Sequence, residues 1–575
     1  MIKKFYLSLY SLLLASSISA AEDVVPIMDY NSIDHPAIGT GGMVVSQRKM
    51  ASQVGAEILR NGGNAVDAAV ATALALAVVL PRAGNLGGGG FMLIFSKDLQ
   101  KTVAIDYREM APAKASRDMF LDNKGNYDRK KAQFSLLSAG VPGTVAGLYH
   151  ALQKYGTLSW DKVLEPAINL AENGFMVPQD LASVLTNYKS RLTSNAATAK
   201  AYYKKNQTPY KAGEIIKLPD LAWSLKELQR QGPEAFYQGQ IAAKIVSEME
   251  KNGGLITLED LANYKVMERI PLKGTYKGFD IVSMPPSSSG GVHLIQMLNM
   301  LEPFSLYEMG FGSAQSIHLM AEVMKRAYAD RSKYLGDTDF VKVPLKGLTS
   351  KSYAKALLKE ISFSEIKSSK DIHHGNPLPY ESPDTTHFSV MDDQGNVVSN
   401  TYTLNFSYGS GIVIPGTGIL MNNEMDDFSS KKGVPNAYGL VGFEANEIQG
   451  RKRPLSSMTP TIVFKDEKPF LVLGSPGGSR IITTVLQVVL NVLEHQMNVK
   501  QAVISPRIHH QWLPDILLME EGFSSDTLSI LKTKGHTIRP SRTMGSVQAI
   551  VSKGDYFYGA ADPRRPSSGA VPVNP

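Results

Sequence analysis

Two patterns in the 575-residue chain predict an α+β fold arranged as a layered sandwich. From about residue 40 to 270 helical periodicity alternates with short apolar strands; beyond about residue 387 strands come first and helices second. Between these halves lies His373 to Asp384, which holds Pro377, Pro379 and Pro383. Proline lacks an amide donor and fixes φ, so this stretch fits neither a helix interior nor a central strand and is a surface loop or linker.

Composition narrows the class. Apolar residues make up 43% and charged residues 20%, enough for a large core and too apolar for a disordered chain. The net charge of +7 is thinly spread, without a Lys/Arg run or an aromatic-studded basic stripe, and therefore points away from nucleic acid. There is no cysteine, which excludes disulfides, thiolate nucleophiles, zinc–thiolate sites and iron–sulfur clusters.

Residues 1–21 have the layout of a secretory signal peptide: Lys3-Lys4, an apolar run from Phe5 to Ala15, and small residues Ser16, Ser17, Ser19, Ala20 and Ala21. Cleavage after Ala20 or Ala21 fits equally, and the run is too short to span a bilayer. A short leader of this kind implies a bacterial periplasmic or secreted protein, not a membrane-embedded one.

The elements follow in order. Ala51–Asn61 has helical periodicity, and Ala65 to Leu80, headed by Gly62-Gly63-Asn64 and stopped by Pro81, predicts a core helix. Phe91–Phe95 and Val103–Asp106 predict strands; Val145–Tyr155 and Ser313–Tyr334 predict helices. In the second half, strands are expected at His387–Met391, Gly395–Thr403, Ile412–Ile414, Thr461–Phe464 and Phe470–Gly474, with a hairpin turn at Asp393-Gln-Gly395. Helices are expected at Thr483–His495 and Ser524–Lys534.

Several motifs invite chemistry. The run from Gly84 to Gly90 follows a helix and precedes a strand, the reverse of a dinucleotide loop, so close backbone packing explains it better than phosphate binding. The pairs His373-His374 and His509-His510 have neighbouring side chains that diverge on a strand, a poor metal site. A Gly-x-Ser-x-Gly nucleophile elbow is absent, and Gly474-Ser475-Pro476 puts proline where the elbow needs an amide. Gly477-Gly478 remains, because side-chain-free residues in a turn can aim successive N–H groups at one anion. Thr385 heads a strand directly after the proline-rich loop. Cut just before it, the chain would expose a threonine whose own α-amine, with a pKa of about 7.7–8.0, serves as base.

Asp384-Thr385-Thr386-His387-Phe388-Ser389 resembles the processing site of bacterial gamma-glutamyltransferases, members of the N-terminal-nucleophile hydrolase superfamily. The resemblance runs through nearly the whole mature chain. It includes Asp106-Tyr-Arg108-Glu-Met-Ala-Pro112, Gly140-Val-Pro-Gly143, Met284-Pro-Pro-Ser-Ser-Ser-Gly-Gly291 and Leu420-Met-Asn-Asn-Glu424-Met-Asp-Asp427-Phe428. It continues through Arg453-Pro-Leu-Ser456-Ser457-Met458, Gly474-Ser-Pro-Gly477-Gly478-Ser-Arg480 and His509-His-Gln-Trp512.

The resemblance implies a four-layer αββα sandwich. It also implies self-cleavage between Asp384 and Thr385, giving a large subunit (22–384) and a small catalytic subunit (385–575) that remain together as a heterodimer. Thr385 would attack the γ-amide of glutathione or a related γ-glutamyl compound, and the ester would pass to water or to an acceptor amino acid or peptide. Thr403 would steer Thr385, and the amides of Gly477 and Gly478 would hold the oxyanion. Arg108, with Ser456 and Ser457, would grip the donor's α-carboxylate; Asn405, Glu424 and Asp427 would take its α-ammonium. Tyr438, in Gly433-Val-Pro-Asn-Ala-Tyr438-Gly439, would cover the site as a lid. No cofactor or metal is implied. The chain departs from familiar relatives at Asp384 and, against many of them, at Glu424, where Gln is common. The competing expectation is another N-terminal-nucleophile amidase, such as a glutaryl or cephalosporin acylase.

Overall fold

The computed structural model describes residues 32–377, 388–431, 433–436 and 438–574. The expected signal peptide, Asp384 and Thr385 lie outside these described residues. Two seven-stranded antiparallel sheets form the centre. One runs, in spatial order, Ala37–Gly39, Tyr556–Ala561, Gln548–Lys553, Lys468–Gly474, Thr461–Lys465, Phe279–Ser283 and Leu272–Tyr276. The other runs Gly569–Val573, Gly42–Ser46, Ser389–Asp392, Val397–Thr403, Gly89–Ser96, Lys101–Tyr107 and Met267–Arg269.

Alternation along the strands assigns each face. In Gly89–Ser96, Met92 and Ile94 belong to a core shared with the helices Lys49–Arg60, Ala65–Val79, Thr144–Tyr155 and Trp160–Asn173. Phe91, Leu93 and Phe95 point the other way, into a core built with the first sheet. There Phe95 meets Phe464 edge to face, with ring centroids 5.2 Å apart. The outer face of the first sheet packs on Gly290–Leu301, Ala314–Tyr334 and Ile481–Leu493. The stacking is therefore helix, sheet, sheet, helix. Each buried Leu, Val or Phe contributes roughly 1.5–3 kcal/mol.

Ala65–Val79 shows why the sequence folds this way. All fifteen of its residues are buried, and Asn64 and Asp67 form a reciprocal capping box at its start. Asp67 also accepts from the Thr157 and Leu158 amides, at 2.9 and 3.0 Å, which fastens the next helical layer to the cap. The hairpin at 393–395 forms as expected, pairing Ser389–Asp392 with Val397–Thr403. Ile412–Ile414 does not become a strand: its apolar side chains are buried in a loop that makes an isolated bridge, Val413 to Leu420, because Gly409, Gly411, Gly416 and Gly418 all take positive φ around it.

Both sheets mix strands from before and after residue 384. Gly42–Ser46, for example, is hydrogen-bonded on both sides by strands from the C-terminal part, Ser389–Asp392 and Gly569–Val573. No helix among the described residues is long and apolar enough to cross a membrane.

Candidate active site

A cavity of about 400 Å³ opens at one end of the two sheets. Its lining includes Arg108, Thr403, Asn405, Glu424, Asp427, Tyr438, Ser456, Ser457, Gly477 and Gly478. Every candidate residue within the described part of the chain is therefore brought to one place, from segments separated by more than 300 residues.

The glycine-rich run builds one wall by close approach. A Cβ at Gly88 would stand 2.0 Å from the Thr403 carbonyl oxygen, and one at Gly87 2.1 Å from that of Leu420. Asn85 completes the contact: its Nδ2 donates to the Thr403 carbonyl at 2.9 Å, and its Oδ1 accepts from the Gly88 amide and the Thr144 hydroxyl. These glycines thus hold the end of Val397–Thr403 in place. Thr403 Oγ1 accepts from the Asn405 amide at 2.8 Å, and Asn405, at φ +72°, donates Nδ2 to the Asn423 carbonyl at 3.0 Å.

The strand Lys468–Gly474 leads into Gly477, at φ +145°, and Gly478, at φ +59°, before the helix Ile481–Leu493. Only glycine takes both values without strain. Neither amide donates to an acceptor among the described residues, so two adjacent N–H groups are left that could serve one anion. Tyr438 lies directly over them: a Cβ on Gly478 would meet its Cδ1 at 2.4 Å. The Tyr438 hydroxyl donates to the Asn405 carbonyl at 2.9 Å, and Gln511 Nε2 donates to the Gly439 carbonyl at 3.1 Å. These two bonds hold the turn at Tyr438 and Gly439 against the cavity.

Arg108 follows the strand Lys101–Tyr107 and is 0% exposed. Its Nη1 donates to Glu424 Oε1 at 2.5 Å and lies 3.5 Å from Glu109 Oε2; its Nη2 donates to Asp427 Oδ2 at 2.7 Å. Burial alone would lower the guanidinium's pKa, but Glu424, Glu109 and Asp427 together raise it above its ordinary value. The acids respond in the opposite sense. Burial pushes Glu109 up to about 7, and it raises both Glu424, well above the ordinary range, and Asp427. Glu424 is in hydrogen-bonding range of both other carboxyls, yet its buried Oε2 receives no N–H or O–H from protein. Burial and the neighbouring Glu109 and Asp427 favour the protonated form of Glu424, while Arg108 pulls toward the ionised one.

Asn422 ties this acidic turn to the rest of the site, accepting from the Gly140 and Glu424 amides and donating to the Gly87 and Gly140 carbonyls. The two serines lie opposite. The Ser456 amide donates to the Ser287 carbonyl at 2.9 Å, and Ser457 Oγ accepts from Arg331 Nη2 at 3.0 Å.

The motif His509-His-Gln-Trp512 supplies structure. His509 bonds Thr483 and Gln511, with burial lowering its pKa to about 3, while His510 turns to Asp515 at 3.2 Å. Trp512 Nε1 donates to the Ser369 and Ile372 carbonyls, anchoring the chain ahead of residue 378. Among the described residues no group of three His, Asp or Glu converges on a metal-sized site.

Two site residues escaped the sequence reading. Glu109 sits inside the quoted Asp106–Pro112 motif, so a signal existed. Arg331 lies in a helix that also carries Lys325, Arg326 and Lys333, and nothing local marks it.

The gamma-glutamyltranspeptidase family model matches residues 51–571. The chain is 54% identical over 550 residues to the glutathione hydrolase proenzyme of Escherichia coli strain K12, covering 95% of each. Among solved structures it resembles gamma-glutamyltranspeptidase from Helicobacter pylori at 46% identity and TM-score 0.58, over 58% of this chain and 96% of that one. It also resembles a cephalosporin acylase from Bacillus halodurans at 26% identity and TM-score 0.84, over 96% and 99%.

Proposed function

The chain belongs to the gamma-glutamyltranspeptidase family, and from that premise we propose how its residues carry out γ-glutamyl transfer and hydrolysis. The observation that carries the reading is the cluster of Arg108, Glu424 and Asp427, both signs of charge buried beside two serines and two free glycine amides. A zwitterionic γ-glutamyl end needs such a pocket. A glutaryl side chain, with no α-amine, has no use for the acids.

Thr385 Oγ attacks the donor's γ-carbonyl while its own α-amine accepts the proton and returns it to the leaving amine. The Gly477 and Gly478 amides hold the developing oxyanion, each donor typically worth about 2.7–4 kcal/mol. Thr403 steers the nucleophile. Arg108, Ser456 and Ser457 hold the α-carboxylate. Asn405, Glu424 and Asp427 hold the α-ammonium, and Tyr438 excludes water until acyl transfer. The γ-glutamyl ester is then resolved by water or by an amino acid or peptide acceptor.

The active form is proposed to be the heterodimer of 22–384 and 385–575 made by self-cleavage at Asp384-Thr385, exported by the leader to the periplasm or medium. The strands exchanged across residue 384 in both sheets support a cut that leaves the halves bound. The test is a comparison of γ-glutamyl-p-nitroanilide with glutaryl-p-nitroanilide, which lacks only the α-amine. Preference for the first by about 100-fold or more supports the reading; equal turnover assigns the site to an acylase.

A further inference from the structure

Arg331 projects from the helix Ala314–Tyr334 into the wall of the same cavity as Arg108, Asp427, Ser456 and Ser457, and is only 6% exposed. Its partners are unusual for so buried a cation. Arg48, Arg108, Arg326, Arg453 and Arg507 are equally buried, and each has a carboxylate within 4 Å. Arg331 has none among the described residues. Its Nε donates to Ser289 Oγ at 2.8 Å and its Nη2 to Ser457 Oγ at 3.0 Å, and Nη1 makes no hydrogen bond among the described residues.

The hydroxyl partners lead directly to the donor pocket. The Ser289 hydroxyl donates to the Ser456 carbonyl at 2.8 Å, and the Ser289 amide donates to the same oxygen. One guanidinium therefore fixes both serines, Ser457 directly and Ser456 through Ser289. Because Arg331 donates to Ser457 Oγ, the Ser457 O–H stays free to point into the cavity as a donor. The charge balance points the same way. Arg108 is matched by Glu424 and Asp427, so it brings little net charge to an incoming anion. Burial lowers Arg331 to about 10, with Tyr328 and Asp427 partly offsetting that, so it is charged at neutral pH. A buried cation without a counter-ion is costly, and an anion arriving beside it relieves that cost.

We propose that Arg331 is a positioning and specificity residue of the donor pocket, supplying its uncompensated positive charge and holding Ser456 and Ser457 for the α-carboxylate. The proposal rests on the γ-glutamyl reading above. It makes the enzyme selective for acyl groups that carry a carboxylate next to the amine, independently of the acids that select the amine itself.

The test uses the matured full-length enzyme and two substrates, γ-glutamyl-p-nitroanilide and 4-aminobutyryl-p-nitroanilide, which lacks only the α-carboxylate. Arg331→Met should lower kcat/KM for the γ-glutamyl substrate by about 100-fold or more, chiefly through KM, and change that for the 4-aminobutyryl substrate by less than about 3-fold. Arg331→Lys, which keeps the charge but not the two-serine fork, should fall between and serves if the methionine variant does not mature. Equal losses on both substrates would reduce Arg331 to a structural role and overturn the proposal; so would an unchanged preference. Failure of the γ-glutamyl reading would show separately, as a wild-type enzyme that does not distinguish the two substrates.

Discussion

Arg108 Nη2 meets Asp427 Oδ2 at 2.7 Å inside the protein, across 319 residues of sequence. Asp427 is the member of the pair with some exposure to the cavity, 14% against 0%. It is the carboxylate best placed to turn from Arg108 toward a substrate ammonium. Asp427→Asn keeps the shape and removes the charge. Truncating one partner of a buried, hydrogen-bonded charge pair in a complex costs about 2–5 kcal/mol of binding, so kcat/KM for γ-glutamyl-p-nitroanilide should fall by about 100-fold or more. Steady-state kinetics on the mature variant checks this.

Glu424 predicts a pH-dependent stability difference. An unfolded glutamate ionises near pH 4.3, whereas burial among Glu109 and Asp427 raises Glu424 well above its ordinary value. The folded state thus binds the extra proton, and its stability falls as pH rises from the unfolded pKa through the folded one. Glu424→Gln has no such penalty. Its melting temperature should match wild type near pH 4 and exceed it increasingly between about pH 5 and pH 8. A difference that is constant with pH would show that Glu424 is ionised throughout.

The contact of Tyr438 with Gly478 predicts a clash and its relief. In Gly478→Ala the new Cβ would lie 2.4 Å from the Tyr438 ring, on a backbone at φ +59°. Either the lid or the oxyanion amide must move, and kcat should fall by about 100-fold. Adding Tyr438→Ala removes the obstacle and should recover part of the loss. Losses that simply multiply would place the damage in the backbone alone.

Asn85 predicts a stability effect remote from chemistry. Its side chain serves the Thr403 and Ala83 carbonyls, the Gly88 amide and the Thr144 hydroxyl. Asn85→Ala leaves these buried groups unpaired and should cost about 1–3 kcal/mol in denaturant unfolding. It should also slow self-cleavage, because the end of the Val397–Thr403 strand loses its support.

Much of this architecture was legible in local pattern. Ala65–Val79 announces itself by its Asn64 cap and unbroken apolar run, and the strand after the glycines by Phe91–Phe95. The glycine run from Gly84 to Gly90 serves backbone packing, as its place between a helix and a strand predicts, and its meaning lies in what a Cβ would hit. Ile412–Ile414 failed because apolar composition does not distinguish a strand from a buried loop bent by neighbouring glycines. Arg331 was illegible for a different reason: its partner Ser457 is 126 residues away, and only the fold turns a common basic helical residue into part of the pocket. The covering tyrosine and the acid cluster came from motif resemblance; the hydrogen bond from Tyr438 to Asn405 and the upward shift of Glu424 required geometry.

The central claim is that one threonine both cuts the chain and performs the transfer. The most direct measurement is an SDS gel of wild type and Thr385→Ala beside their γ-glutamyl-p-nitroanilide activities. The account predicts two wild-type bands, ending at 384 and beginning at 385, and one uncut, inactive band for the variant. A single uncut wild-type band with full activity, or a Thr385→Ala protein that still matures and turns over, would contradict it.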